Sequence, residues 1–399
     1  MKWKILLSDI AFDQQEQEAV AKVLRSKWLS LGPVTEEFEH AICEVLGCKY
    51  AVATSSGTAA LHLALLAAGV KPGCDVLVPV LTFVATVNAI LYCQATPIFC
   101  DITDLLEPTI SPDDVRRKVS TLADKSENTA AIMPVHYAGF PCRMAALEEA
   151  LTPRVSKGSK STDREITIIE DAAHAPGARA PDGRALGTIG AAGALSFFAN
   201  KNLVTGEGGM LVTNNPDIAQ TARLLRSHGI TSGTWERQVK GFSDYDMTML
   251  GFNYRPSELA SAIGLVQLKK LAENNARRKT LFLLYQSLLS NIDEVQIPFT
   301  TGSDFGTPAY HIMPILLPDE LTRNRVSLRL QQAGIQTSHH YRLAHQFTYY
   351  RTRLPGPPQS LPISEDYSRR QLTLPLHPLL REEDVECIVR EITEALRQS

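Results

Sequence analysis

The sequence predicts an α/β protein whose central sheet is mainly parallel and covered by helices on both faces. Five continuous apolar runs, bounded by turn residues, have the length and composition of buried strands. Amphipathic stretches of helical length separate them, an alternation typical of βαβ units. The predicted strands are residues 51–53, 75–79, 97–100, 130–133 and 166–169, and the predicted intervening helices are residues 58–68, 85–92 and 143–151.

The chain of 399 residues is long enough for one large domain and one smaller domain. We place the large domain at residues 1–269 and a smaller C-terminal α/β domain at 270–399, with a long helical pattern at 257–286 between them. The remaining predicted elements are helices at 16–24, 35–46 and 321–333, a strand at 311–317 and a last helix that begins at Arg381.

Three connections differ from the βαβ pattern. The polar residues 156–164 indicate a solvated loop. Residues 227–249 show little periodicity, and we expect them to form a flap near a subunit contact. The apolar runs 194–197 and 209–212 lie close together, so they are expected to pair through the loop that carries Lys201.

Composition excludes several classes of protein. Apolar residues make up 44% of the chain and charged residues 21%, as in soluble globular proteins. A net charge of −3 without a basic block argues against nucleic acid and anionic membranes as partners. The apolar run after Lys4 is too short for a signal sequence or a membrane span. Seven scattered cysteines without a CxxC pair indicate reduced thiols, so a cytoplasmic protein is expected.

Lys201 and Asp171 are the residues most indicative of chemistry. Lys201 lies between an apolar run and the glycines of residues 206–209, a setting that buries the amine and makes it nucleophilic. Such an amine can form a Schiff base with pyridoxal phosphate (PLP), and Asp171 can keep the pyridine nitrogen protonated. The glycines do not have GxGxxG spacing, so a dinucleotide site has little support.

Residues 55–61 (SSGTAAL) follow a predicted strand and begin a helix. Free N–H groups and the positive end of the dipole at a helix N-terminus suit a phosphate. Gly57 permits close approach and Thr58 adds a hydroxyl; an ordinary helix cap is the alternative. Phe83 follows another strand, where its ring can stack on a flat pyridine ring or simply pack in the core.

Asp171 directly follows an apolar strand and should project at the carboxyl edge of the sheet. A metal site is disfavoured, because Glu170 and His174 are the nearby candidate ligands and Glu170 should point to the opposite face. His174 either contacts the phenolic oxygen of the cofactor or packs as a buried histidine.

Several motifs in order resemble the DegT/DnrJ/EryC1/StrS family of PLP-dependent sugar aminotransferases, which have the fold type I architecture. The resemblance spans nearly the whole chain. The motifs are residues 55–61 (SSGTAAL), 82–86 (TFVAT), 134–139 (PVHYAG), 170–174 (EDAAH), 201–202 (KN), 206–209 (GEGG), 251–255 (GFNYR), 262–268 (AIGLVQL) and 340–345 (HYRLAH).

The resemblance implies a role for each matching residue. Lys201 and Asp171 are catalytic, and His174 is the neighbour of the ring oxygen. Asn253 reaches the phosphate of the neighbouring subunit, which implies a homodimer, and Phe83 stacks on the ring. The residues implied to contact the phosphate are Gly57, Thr58, Ala59 and Ser196. The candidate residues for contact with the substrate are His340, Tyr341 and His345.

The implied reaction is ping-pong transfer of an amino group from an amino acid, L-glutamate by family analogy, to a nucleotide-linked keto sugar. Residues 183–188 and 134–139 look most like members that act on dTDP- or UDP-4-keto-6-deoxyhexoses. A 3-keto sugar or a keto-inositol is the alternative acceptor. Phe198, Arg143 and the stretch 340–345 depart from the common family pattern, which affects the substrate contacts.

Two hypotheses from other classes are a PLP-dependent lyase and a non-catalytic regulator with the same fold. Lyases of this kind resemble the family but carry histidine in place of the lysine, so Lys201 argues against that reading. Intact Lys201, Asp171, Gly57 and Thr58 argue against a regulator that has lost its chemistry.

Overall fold

A seven-stranded sheet forms the centre of the protein in the computed structural model, which describes residues 3–123, 129–151, 166–241, 244–300, 304–354 and 360–397. The strand order is β1-β7-β6-β5-β4-β2-β3. Only β7 runs antiparallel to its neighbours among these strands, so the sheet is mainly parallel, as predicted. The strands are β1 (Tyr50–Thr54), β2 (Asp75–Pro79), β3 (Thr96–Cys100), β4 (Thr129–Ile132), β5 (Thr167–Asp171), β6 (Ala192–Ser196) and β7 (Gly209–Thr213).

Helices surround this sheet and continue into the C-terminal part of the chain. A second, two-stranded antiparallel sheet contains β8 (Met313–Leu316) and β9 (Gln371–Leu374). The helices are α1 (Gln14–Ser26), α2 (Pro33–Leu46), α3 (Gly57–Ala67), α4 (Val84–Tyr92), α5 (Pro112–Ala123), α6 (Met144–Leu151), α7 (Pro216–Arg226), α8 (Thr234–Lys240), α9 (Glu258–Leu289), α10 (Glu320–Ala333), α11 (Thr348–Arg353), α12 (Pro362–Arg370) and α13 (Glu382–Arg397).

The helix α3 is apolar around its whole circumference, because it is buried on all sides. Residues Ala59–Leu65 of this helix are all buried, and the helix packs against α4, α7, β6 and β7. Its N-terminus is therefore fixed at the edge of the sheet where β1 ends and β7 begins.

The long helix α9 is unbroken across residues 269 and 270, where the sequence placed the boundary between two domains. It packs against α1 and α2 with one part and against α13 with another. The division into domains 1–269 and 270–399 therefore stays a prediction, and its boundary lies inside a continuous helix.

The structure also tests the predictions made for the connections between strands. The predicted pairing through the Lys201 loop is confirmed, because β6 and β7 are antiparallel neighbours. Residues 227–249, where the sequence shows little periodicity, contain the short helix α8 between an extended Gly233 and a left-handed Gly241. The flap near a subunit contact stays a prediction. The predicted loop 156–164 lies outside the described residues. Within the described ranges, no helix is both long and apolar enough to cross a membrane.

Candidate active site

The residues predicted from the sequence to act on a cofactor meet at the carboxyl ends of the parallel strands. The turn from β1 to α3, the turn from β2 to α4, the end of β5 and the connection from β6 to β7 all lie at this edge. Open α/β sheets bind ligands at such an edge because loops of several strands converge there. The topology thus brings Gly57, Phe83, Asp171 and Lys201 to one side of the sheet.

Asp171 is the last residue of β5, and its side chain is 5% exposed. Its Oδ2 accepts a hydrogen bond of 2.8 Å from Thr86 Oγ1, and its Oδ1 accepts one of 3.1 Å from the N–H of Ala173. Burial raises the pKa of the carboxyl, while Thr86, Ala173 and the positive charge of Lys201 oppose that rise. A buried carboxylate with cationic surroundings can hold a protonated nitrogen.

Glu170, the preceding residue, points to the opposite face of the strand, as predicted. Its Oε2 accepts from His136 Nε2 at 2.9 Å and from the N–H of Gly187 at 2.8 Å. Its Oε1 accepts from the N–H groups of Ile189 and Gly190 at 2.6 and 2.7 Å. All of these donors belong to the protein itself, so Glu170 anchors the loop before β6. Asp171, and not Glu170, faces the edge of the sheet where a ligand can bind.

Lys201 lies in the tight connection between β6 and β7. Its backbone N–H donates to the carbonyl of Phe198 at 2.9 Å, and the N–H of Phe197 donates to the carbonyl of Gly208 at the same distance. Burial lowers the pKa of the Lys201 amine to about 8, and the charge of Asp171 limits this drop. About a tenth of the amine is therefore in its neutral, nucleophilic form at pH 7, far more than for an ordinary lysine.

The turn from β1 to α3 has the geometry of an anion cradle. Ser56 caps the helix and accepts from the N–H of Ala59 at 3.1 Å. The N–H groups of Gly57 and Thr58 precede the first intrahelical hydrogen bond and are available to a ligand. A Cβ at Gly57 would lie 2.8 Å from Ser196 Cβ, so a side chain there would fill the cradle.

Phe83 is 56% exposed at the first turn of α4. Its ring centroid lies 5.9 Å from that of Tyr341 at an interplanar angle of 49°. Because the ring presents one side to solvent, the core-packing alternative does not describe it. Its position leaves the ring free to contact a planar ligand.

His174 is buried and makes one hydrogen bond within the described part of the chain, from its Nε2 to the hydroxyl of Tyr341 at 2.9 Å. Its Nδ1 is buried without a partner there. The ring of His311 packs against it with centroids 4.2 Å apart. Burial, followed by the charges of Lys201 and His340, holds the pKa of His174 well below its usual value.

The three candidate substrate residues separate into two groups. The carbonyl of His340 accepts a hydrogen bond from Tyr137 Oη at 2.6 Å. Burial, and to a smaller extent the charge of Lys201, lowers the pKa of the His340 imidazole to about 3. Tyr341 contacts both His174 and Phe83, whereas Nδ1 of His340 lies 2.9 Å from Thr373 Oγ1. His345 instead lies 4.0 Å from the carboxylate of Glu365 and near the ring of Phe99, away from the contacts of Lys201.

Asn253 is exposed on the segment that precedes α9. The carbonyl of the next residue, Tyr254, accepts from the N–H of Ser55 at 2.7 Å. This contact ties the segment to the turn that begins α3. The side chain of Asn253 is thus on the surface, beside the same turn that forms the cradle.

Sequence reasoning missed three residues of the site. Thr86 holds Asp171, although the motif 82–86 had been noted. Oδ1 of Asn202, the residue after Lys201, accepts from His311 Nδ1 at 2.8 Å, and its Nδ2 donates to the carbonyl of Ala309 at 2.7 Å. The two threonines of the motif 82–86, just before and within the first turn of α4, were a signal for Thr86, whereas His311 belonged to a predicted strand with no signal of a site.

These residues fit pyridoxal phosphate on three observations. The cradle at Gly57 has room only while that position lacks a Cβ. The orphaned Nδ1 of His174 marks a buried polar group in need of a partner. Asp171 is buried at the carboxyl end of β5, the same edge of the sheet to which the β6–β7 connection brings Lys201.

A family model for the DegT/DnrJ/EryC1/StrS aminotransferase family matches residues 11–393. The chain belongs to this family. It is 33% identical over 390 residues to the uncharacterized protein MJ1066 of Methanocaldococcus jannaschii. The matched region covers 97% of this chain and 96% of that protein.

Solved structures agree with this membership. The chain is similar to the aminotransferase TlmJ from Streptoalloteichus hindustanus, with a TM-score of 0.86, 31% identity and full coverage of both chains. It is also similar to the sugar aminotransferase CalS13 from Micromonospora echinospora, with a TM-score of 0.84, 30% identity, and coverage of 97% of this chain and 99% of that chain.

The protein is therefore a sugar aminotransferase of fold type I that depends on pyridoxal 5′-phosphate, and structures in PLP and PMP forms are among those matched. Fold class, family, enzyme class and cofactor are confirmed as predicted from the sequence.

Proposed function

We propose that the protein transfers an amino group from L-glutamate to a nucleotide-linked 4-keto-6-deoxyhexose carrying dTDP or UDP, with donor and acceptor binding alternately at one site. The observation that carries this proposal is the juxtaposition of a Lys201 amine with a pKa of about 8 and the buried Asp171 carboxylate. Bound PLP would supply an aldehyde that takes up the amino group and a pyridinium ring that stores an electron pair.

Each protein group has one task in this scheme. Asp171 holds the proton of the ring nitrogen, and the N–H groups of Gly57 and Thr58, with Ser196, hold the phosphate. The Nζ of Lys201 would carry a proton from the α-carbon of the amino donor to the cofactor carbon that takes up the amino group. In the second half of the cycle it would carry a proton from that carbon to the sugar carbon that receives the amine. Phe83 covers the ring, and His174 faces its oxygen.

The substrate contacts are assigned to His340 and Tyr341, because Tyr341 lies against His174 and Phe83 and His340 is its neighbour in the chain. The placement of His345 near Glu365 makes it the weaker candidate for a substrate contact. The likeness to the sugar aminotransferase CalS13 supports a sugar acceptor.

We test the reaction by adding L-glutamate to the PLP-loaded protein without any sugar. Formation of one equivalent of 2-oxoglutarate per site is expected, followed by amination when dTDP-4-keto-6-deoxyglucose is added, with the new amine located by NMR. Parallel samples receive a UDP-3-keto sugar or a keto-inositol, and the Lys201→Ala variant is the control. Release of 2-oxoglutarate only when sugar is present would contradict alternating binding, and amination only of a parallel acceptor would contradict the sugar assignment.

We further propose that the active unit is a homodimer in which Asn253 of each subunit contacts the cofactor phosphate in the site of the other subunit. Its exposure beside the turn that begins α3 supports this, together with the family resemblance. Mixing the Lys201→Ala and Asn253→Ala variants tests it. If Asn253 acts across the interface, random exchange restores about a quarter of the wild-type sites, because half of the dimers are mixed and each has one intact site. No recovery despite subunit exchange would place Asn253 in its own chain's site.

A further inference from the structure

Two buried threonine hydroxyls lie in line behind the Asp171 carboxylate. Thr86 Oγ1 is 2.8 Å from Asp171 Oδ2, and Thr82 Oγ1 is 2.6 Å from Thr86 Oγ1. Thr82 is 1% exposed and Thr86 is 0% exposed, so bulk water does not replace either contact. The three side chains form a short chain of hydrogen bonds that ends on the carboxylate.

The charge of Asp171 sets the direction of this chain. An ionised carboxylate can only accept, so the single hydrogen of the Thr86 hydroxyl points to Asp171. The short contact between the two threonines then requires Thr82 to donate to Thr86. A protonated Asp171 could instead donate, which would reverse both hydrogen bonds.

The position of Thr86 in its helix also favours the ionised form of Asp171. Thr86 is in the first turn of α4, three residues after Phe83, which precedes the helix. Asp171 therefore lies near the positive end of the α4 dipole, where a negative charge is stabilised. The same turn, residues 82–86, presents the exposed ring of Phe83, so one turn places both the ring contact and the support of Asp171.

We propose that Thr86, oriented by Thr82, is a positioning residue that keeps Asp171 ionised and fixes its carboxylate toward the ring nitrogen of the cofactor. This inference rests on the proposed role of Asp171 and assigns a role that the resemblance did not supply. Thr86 touches neither substrate nor cofactor in this account and acts through Asp171. Hydrogen bonds to a charged group are the stronger ones in a buried site, so their loss has a measurable effect.

The test is ¹⁵N NMR of the protein loaded with PLP labelled at the pyridine nitrogen, at one fixed pH. The Asp171→Asn variant supplies the signal of a ring nitrogen without its carboxylate partner. Thr86→Val keeps the shape of the side chain but removes the hydroxyl, and its signal is expected to move from the wild-type position toward that of Asp171→Asn. Thr86→Ser restores the hydroxyl and is expected to restore the wild-type signal. The rate of 2-oxoglutarate formation from L-glutamate should fall about ten- to a hundredfold in Thr86→Val.

The outcomes separate two failures. A wild-type signal in Thr86→Val, with a displaced signal in Asp171→Asn, overturns the role of Thr86 and leaves that of Asp171 intact. An unchanged signal in Asp171→Asn overturns the role of Asp171 and this inference with it. If Thr86→Val does not fold, Thr82→Val removes the second hydroxyl only, and a signal shifted part of the way is the expected result; an unmoved signal there overturns the inference.

Discussion

The hydroxyl of Tyr341 and the Nε2 of His174 lie 2.9 Å apart, and this hydrogen bond joins residues 167 positions apart in the sequence. Burial raises the pKa of the Tyr341 phenol well above its usual value, while burial and nearby positive charges lower the pKa of His174. The phenol therefore keeps its hydrogen and the imidazole stays neutral. Each of these neutral groups can donate or accept, so the hydrogen bond forms with either tautomer of His174.

Replacing Tyr341 with phenylalanine should remove this hydroxyl and leave Nε2 of the buried His174 without a partner. Leaving a buried donor or acceptor unsatisfied costs about 1–3 kcal/mol of the free energy of unfolding. Urea unfolding of the apoprotein measures this loss. The control is Tyr349→Phe at a side chain that is 61% exposed, where a change within about 0.5 kcal/mol is expected. Equal stability of both variants would contradict a structural role for the Tyr341 hydroxyl.

The protein should lose stability as the pH falls below 6.5. Burial lowers the pKa of His62 to about 4, and burial is also the main cause that lowers the pKa of His340 to about 3. As the pH falls, these histidines are protonated in the unfolded chain before they are protonated in the folded protein. Their contribution to the free energy of unfolding is therefore complete above the pKa of an unfolded histidine, and it is lost as the pH falls toward the pKa in the folded protein. Each such histidine contributes a slope of about 1.4 kcal/mol per pH unit.

This acid dependence is measured as the free energy of unfolding between pH 7 and pH 5. The raised pKa of Asp171 acts in the opposite sense, because the folded state binds that proton first as the pH falls. His62→Leu should reduce the slope, since His62 is 3% exposed among aromatic rings. The matched control replaces the exposed His40 with glutamine. An identical slope in His62→Leu and the wild type would show that His62 does not contribute.

Replacing Gly57 with alanine should weaken PLP binding by about tenfold or more, because overpacking of this size costs about 1–3 kcal/mol. The added Cβ would lie 2.8 Å from Ser196 Cβ and would displace the start of α3. Titration of the apoprotein with PLP measures the affinity. Gly233→Ala is the matched control, since its added Cβ meets no atom within 4 Å. Unchanged affinity in Gly57→Ala would argue against the phosphate cradle.

Removal of the Glu170 side chain should destabilise the protein by about 3–5 kcal/mol, because breaking a buried charged network leaves its donors unpaired. Glu170→Ala deprives His136 and three backbone N–H groups of their acceptor. Thermal and urea unfolding report the loss. The control is Glu382→Ala, whose contact with Arg277 at 2.9 Å lies at the surface and is worth about 1 kcal/mol or less. Similar losses in both variants would contradict an anchoring role for Glu170.

Much of the fold could be predicted because its strands are continuous apolar runs separated by amphipathic helices. Glycines at 206, 208 and 209 marked the tight connection, and the polar termini of the strands marked the edge where Asp171 and Lys201 meet. Alternation along β5 was enough to assign Glu170 and Asp171 to opposite faces. These are local properties that a single sequence displays.

Contacts between distant segments could not be predicted in this way. His311 packs on His174 and bonds to Asn202, but the local sequence of each gives no sign of the others. The placement of His345 near Glu365 likewise depends on how the C-terminal segment crosses the sheet. The helix α8 was missed because seven residues are too few for a clear helical period.

The central claim is that Lys201 carries the cofactor, and chemical reduction tests it most directly. The PLP-loaded protein is treated with sodium borohydride, digested and analysed by peptide mass spectrometry. We expect to find the pyridoxyl group on the peptide that contains Lys201 and to lose it in Lys201→Ala. Modification of a different lysine, or a label that persists in Lys201→Ala, would contradict it.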